Sequence, residues 1–243
     1  MDNTILEQIK ACEEDYLTLF CTKGREWGLF VYQDRQLPEL PAHNFIRIPD
    51  HIPAGRLRGL ADVARNTANA TGRTYLRIEF PQPVNFHNAR SEQWGYYVLS
   101  DLNAVTDVDP NGLITAILND EETSNKVIDF ELSGADDQDY ALRCAKRLND
   151  VFLAENGLQC CVCLSGDKIV ATGQLFTKDG LARITDIKAV PGEDQNNVAA
   201  ALLKYMVEQA QNLGAESIYV KSEKDICGFS KVGEGFAVMW DFV

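Results

Sequence analysis

The run from Leu181 to Leu213 constrains this chain more than any other. Leu181 to Val190 reads as a β-strand, Pro191-Gly-Glu-Asp194 as a short polar loop, and Gln195 onward as an amphipathic helix. The helix presents Val198, Leu202, Tyr205, Met206, Ala210 and Leu213 on its inner side and stops at Gly214. That spacing is the three-to-four repeat of a half-buried helix. Ser217 to Lys221 follows as another strand. A helix N-terminus presents unpaired N–H groups and a partial positive charge, so a loop that feeds straight into one can hold an anion.

The remaining elements make a mixed α/β chain. Thr4-x-x-Glu7 reads as a capping box over a short helix. Tyr16 to Cys21 and Trp27 to Tyr32 read as strands about a Lys23-Gly24 turn, and Phe45 to Ile48 as a third strand. Leu57, Leu60, Ala61, Ala64 and Ala68 mark a helix stopped by Gly72, and Tyr75 to Phe80 and Tyr96 to Ser100 are strands. Further on, Val127 to Leu132 reads as a strand and Asp136-Asp137 as the cap of a helix ending at Asn156-Gly157. Cys160 to Leu164 and Ile169 to Phe176 form a hairpin, a short helical piece spans Asp225 to Lys231, and Gly235 to Phe242 closes the chain as a strand.

A chain of 243 residues is comfortable for two domains. Turn-rich text from Asp101 to Asn125 surrounds one apolar patch, Leu113 to Leu118, so domains are expected at 1–110 and 126–243 with a linker at 111–125. The separation of Ile48 from Tyr75 nearly equals that of Val190 from Ile218, and in each case a strand leads through proline into a helix. An internal duplication explains this; so does the ordinary length of an α/β crossover.

Composition limits the function. A net charge of −13 argues against a nucleic-acid partner, which needs a basic face. It suits cationic substrates such as amines, and it also serves solubility. No apolar run approaches the roughly 18 residues of a membrane span. Met1-Asp2-Asn3-Thr4 carries no basic region or apolar signal core, so a cytoplasmic location without membrane attachment is expected. The seven cysteines are an odd number in apolar patterns, as free thiols are. Cys160-x-x-Cys163 lies inside a strand with no second pair, and His43, His51 and His87 lie far away. No metal site is expected, since zinc needs four convergent ligands.

The strand-loop-helix carries a resemblance. Gln195-Asn196-Asn197-Val198-Ala199-Ala200 resembles the Gln/Arg-x-x-Gly-x-Gly/Ala loop of the GNAT superfamily of N-acetyltransferases, with Val198 in place of the central glycine. The element order of about 126–243 is similar to that fold. The resemblance implies an α/β chain with a mixed sheet (the acyl-CoA N-acyltransferase fold) in tandem, the first half being a reduced copy. It implies acetyl-CoA as cosubstrate, its pyrophosphate at the amides of 195–200 and its pantetheine arm along the backbone of Lys188, Ala189 and Val190. If Val198 packs inward, Asn197, Ala199 and Ala200 still offer their amides; if it points outward, its branched side chain obstructs them.

By the same resemblance, Asp186 is the acid that takes the proton from an attacking amine; the alternative is a solvated carboxylate or one paired with Lys188. Phe229 stands where the family usually has a tyrosine acid, with Ser230 beside it. Two readings follow. One is an acetyltransferase acting on a small-molecule or peptide amine. The other is a catalytically impaired protein of the same fold, binding CoA or other proteins. Neither the acceptor nor the oligomeric state is legible.

Overall fold

Residues 3–70, 74–107, 112–118, 120–154, 156–192 and 195–242 are described by the structure, a computed structural model. The helix stop expected at Gly72 and the loop residues 193 and 194 lie outside them. The chain forms two compact units, one from Met1–Glu13 with Tyr96–Val232 and the other from Glu14–Gly95 with Gly233–Val243. The division therefore does not follow 111–125. The chain passes between units inside α1 (Asn3–Thr18), inside β5 (Arg90–Leu99) and again inside β11 (Phe229–Asp241). Part of the expected linker is folded: β6 (Ile114–Ile117) pairs antiparallel with β7 (Leu158–Ser165), and Asp120 caps α4 (Glu121–Leu132).

In the first unit the strand order is β5-β10-β9-β8-β7-β6. β7, β8 (Lys168–Lys178) and β9 (Leu181–Ala189) form an antiparallel meander. α6 (Gln195–Asn212) then returns the chain to β10 (Ser217–Ser222), parallel to β9. α6 buries Val198, Leu202, Met206 and Ala210 against Leu175, Ile184 and Ile218, which is the face its sequence spacing requires. α4 and α5 (Gln138–Phe152) lie before the meander, Val127 of α4 packing in a cluster with Cys160 and Val162.

Val127 to Leu132, expected as a strand, belongs to α4. The Asp120 carboxylate accepts from the Thr123 amide at 2.7 Å, and Glu121 and Glu122 fill the first turn. Cap and dipole together outweigh the β preference of a short Val-Ile pair. The helix expected over Asp225 to Lys231 is instead a turn at Cys227-Gly228 that leads into the start of β11. Gly228 sits at φ +81°, and its carbonyl accepts from the amides of Ser100 and Asp101, just ahead of α3 (Leu102–Thr106). A Cβ there would lie 2.6 Å from Val105 Cγ2, so only glycine fits.

The second unit has the order β1-β2-β3-β4-β11-β5. β1 (Thr22–Glu26) and β2 (Leu29–Gln33) turn at Trp27-Gly28, both at positive φ, rather than at Lys23-Gly24, which lie within β1. β3 (Phe45–Arg47) runs through α2 (Ala54–Ala70) to the parallel β4 (Tyr75–Phe80). Leu57 and Ala61 of α2 pack with Leu76, Ile78 and Trp240. Tyr16 to Cys21 is not a strand: α1 spans Asn3–Thr18, its buried Ile9, Cys12, Glu13, Tyr16 and Leu17 spaced as one helical stripe. No described helix is long and apolar enough to cross a membrane.

In the first unit Glu13 is buried against Arg183, whose guanidinium donates to its carboxylate, and Tyr219 OH donates to it at 3.0 Å. Burial by itself pushes the carboxyl up. The charges of Arg183 and Lys221 and the hydrogen bonds from Arg183 and Tyr219 outweigh it and hold the carboxyl below its ordinary 4.5. A folded pKa below the unfolded one means that this stabilisation is present above about pH 4.5 and is lost as pH falls through the lowered value. Glu13→Ala leaves a buried guanidinium without its counter-charge. It is expected to cost about 3–5 kcal/mol in urea unfolding; a wild-type midpoint would refute the pairing.

Candidate functional site

β9 begins as an ordinary inner strand. Leu181 to Ile184 pair with β8 on one edge and with Ser217 to Val220 of β10 on the other. The pairing with β10 stops at Ile184–Val220, although both strands run on, to Ala189 and Ser222. On the β8 edge the register shifts: Thr172 pairs with Lys188 and Gln174 with Thr185, so Gly173 opposes both Asp186 and Ile187. This is a β-bulge, with Asp186 at φ +51°. A bulge bends its strand and sharpens its twist, and here it coincides with the parting of β9 from β10. Gly173 makes the close approach possible, since a Cβ there would meet Met206 Sδ at 2.8 Å. Beyond the bulge Val190 N–H donates to Val170 O at 2.9 Å, so the end of the strand remains held on the β8 side.

The chain next enters α6. Val198 is 6% exposed and packs in the core with Leu202 and Met206. Its isopropyl group is inward, the first of the two alternatives open from the sequence. Gln195, Asn196 and Asn197 are exposed, and Ala199 and Ala200 half-buried. The first turn of α6 thus faces outward with small or polar side chains, and first-turn amides have no intrahelical partner. The Gln195 amide contacts Gly192 O at 3.3 Å.

Asp186 is exposed and lines a cavity of about 330 Å³, open mouth included, together with Glu131, Asn149, Thr172, Gln174 and Lys188. No hydrogen bond or ion pair to its carboxylate is found among the described residues. Lys188 does not pair with Asp186. Its ammonium lies 2.6 Å from Glu131 Oε2, and Thr172 Oγ1 donates to Glu131 Oε1 at 3.3 Å. Glu131 is the site residue that reading the sequence missed, because a strand over 127–132 hid it. The Asp120-x-x-Thr123 cap was the signal for the helix that carries it. Near the other end of the unit, Phe229 packs against the α6 core and Ser230 Oγ donates to Ser100 Oγ at 2.8 Å.

Cys160 and Cys163 do not converge. Residues three apart on a strand point to opposite faces. Cys160 packs with Val127 and Val162, whereas Cys161 and Cys163 pack against α6. Burial pushes the Cys160 and Cys163 thiols up, and Cys161 to about 12. No metal-binding cluster is present among the described residues. Under native alkylation Cys227, the exposed cysteine, is expected to react first. Cys160, Cys161 and Cys163 should stay unlabelled until urea unfolds the chain; mass spectrometry showing them modified early would overturn their place in the core.

No known family's sequence pattern matches this chain, and no curated protein matches it. Solved structures do. A functionally unknown conserved protein from Staphylococcus epidermidis is 11% identical with a TM-score of 0.72, over 92% of this chain and 95% of its own. A GCN5-related N-acetyltransferase from Kribbella flavida is 12% identical with a TM-score of 0.67, over 96% and 94%. A tandem GNAT protein from the clavulanic acid biosynthesis pathway is 14% identical with a TM-score of 0.53, over 89% and 81%. At such identities the likeness is one of fold.

Proposed function

We propose that this chain, which has the fold of the GNAT N-acetyltransferases in tandem form, moves an acetyl group from acetyl-CoA to an amine. The observation that carries the reading is the parting of β9 from β10 just ahead of α6. A free strand edge offers backbone partners to a pantetheine arm at Lys188, Ala189 and Val190. The start of α6 offers the amides of Asn196 and Asn197 and a positive dipole end to a pyrophosphate, with the small side chains of Ala199 and Ala200 beside them; the Gln195 amide already reaches Gly192 O, and the amides of Ala199 and Ala200 fall past the first turn, within the helix's own ladder. Val198 is turned into the core and leaves that side open.

The thioester supplies an activated acyl carbon. Attack forms the N–C bond and breaks the C–S bond, and the amine must shed a proton. Asp186 is the proposed acceptor of that proton, directly or through water. The departing thiolate is a tolerable leaving group without an acid. That suits a site where Phe229 has no proton to give and Ser230 is engaged with Ser100. Phe229 also favours the second reading, a protein of this fold that binds CoA without turnover.

Thermal shift with acetyl-CoA and CoA tests binding. At 100 times its dissociation constant a ligand adds roughly 2.7 kcal/mol, and Asn197→Glu is expected to abolish the shift while leaving the unliganded midpoint unchanged. A shift without thiol release over a panel of amines would select the second reading in its CoA-binding form; no shift at millimolar CoA would sink the transferase reading and leave the second reading only as a protein-binding one. Asp186→Asn preserves a side chain that tolerates positive φ. It is expected to lower turnover about 10²-fold with CoA binding intact, and unchanged turnover would remove Asp186 from the proton step.

A further inference from the structure

An acid in the last turn of a helix stands against the negative end of the helix dipole. Glu131 occupies that place in α4, and no basic residue shares the turn to offset it. Its counter-charge comes from another element. Lys188 Nζ of β9 lies 2.6 Å from Glu131 Oε2, and Thr172 Oγ1 of β8 donates to Glu131 Oε1 at 3.3 Å. Thr172 and Lys188 face each other across the strands, in the first rung beyond the bulge. One carboxylate therefore spans both residues of that rung. The helix that carries it is fixed from behind: Asn149 Nδ2 of α5 donates to Ser124 O at 3.2 Å and to Ser124 Oγ at 2.7 Å, and Val127 packs with Cys160 and Val162.

Two carboxylates, Glu131 and Asp186, line the same cavity as the Lys188 ammonium. The other titratable group there is the Cys160 thiol, which burial pushes up. The ammonium goes to Glu131, and two differences decide it. The Glu131 side chain is 18% exposed whereas Asp186 is exposed, and an ion pair is stronger where water screens it less. The Glu131 carboxylate is also held by Thr172, so it loses less freedom on pairing. We propose that Glu131 is a positioning residue: it withholds the Lys188 ammonium from Asp186, whose carboxylate stays open to the proton of an attacking amine. A carboxylate bonded to an ammonium has its lone pairs engaged and its charged form favoured, so it is a weaker base. Glu131 touches no reacting atom and acts through Lys188. That Asp186 takes a proton rests on the transferase reading; that Glu131 holds Lys188 away from it does not.

Glu131→Gln tests it, since the amide keeps the size and still accepts from Thr172 but carries no charge for an ammonium. A crystal structure of this variant at neutral pH is expected to show Lys188 Nζ within about 4 Å of the Asp186 carboxylate. With acetyl-CoA and an amine of the panel that turns over, kcat is expected to fall about three- to fivefold while the KM for acetyl-CoA is unchanged. Adding Lys188→Met removes the released ammonium and is expected to restore kcat, because Lys188 enters the cosubstrate reading by its backbone alone. A carboxylate that merely braced β9 would not be replaced by a second loss, and Lys188→Met would then deepen the defect. Lys188 Nζ in solvent in Glu131→Gln would overturn the proposal. So would a defect that Lys188→Met fails to relieve, or full kcat with Lys188 seated on Asp186. Should Glu131→Gln fail to fold, Glu131→Ala, a better helix former in that turn, is read in the same way. If the wild-type chain turns over no amine, the transferase reading fails, and the crystal structure still decides where Lys188 goes.

Discussion

The parallel pairing of β9 with β10 ends early, and the candidate site depends on that ending. Had the ladder continued past Ile184 and Val220, Lys221 and Ser222 of β10 would have covered the edge of β9 at Thr185 and Asp186. The bulge at Asp186 is the local reason. Two residues there oppose the single Gly173, the strand bends, and its edge on the β10 side goes unpaired beyond Ile184. The same bulge places Asp186 in the wall of the cavity, so strand geometry and site chemistry share one cause.

Val198 is where sequence and structure meet most closely. A β-branched side chain at the mouth of an anion-binding helix reads as an obstruction, because glycine lets a ligand approach the backbone and valine does not. In the folded chain the position belongs to the apolar stripe of α6 with Leu202 and Met206. One residue therefore serves the core, while Asn196 and Asn197 beside it remain exposed. A helix assigns adjacent residues to different faces, and the loss of one glycine does not close the end of it.

Glu131 shows what local reading loses. Its value lies in contacts with Thr172 and Lys188, far along the chain, and no local pattern announces such a pairing. Misreading 127–132 as a strand hid it further, since the competing signal was a cap several residues upstream. Gly228 is a second example. The text around it resembles a short helix, and only the carbonyl bonds to Ser100 and Asp101, with the close approach of Val105, make it a turn.

The sequence by itself determined the meander from Leu158 to Ala189, the crossover through α6, the parallel strands about α2, and the faces on which α2 and α6 pack. Those features follow from period and punctuation, which act over a few residues and are written in order. Tertiary structure alone decided that β6 belongs to the first unit's sheet, that the chain divides inside α1, β5 and β11, that α1 runs on to Thr18, and that Lys188 answers Glu131 rather than Asp186. Each of these is settled by a partner distant in the chain. Local propensity is too weak to outvote a distant partner, and it carries no record of one.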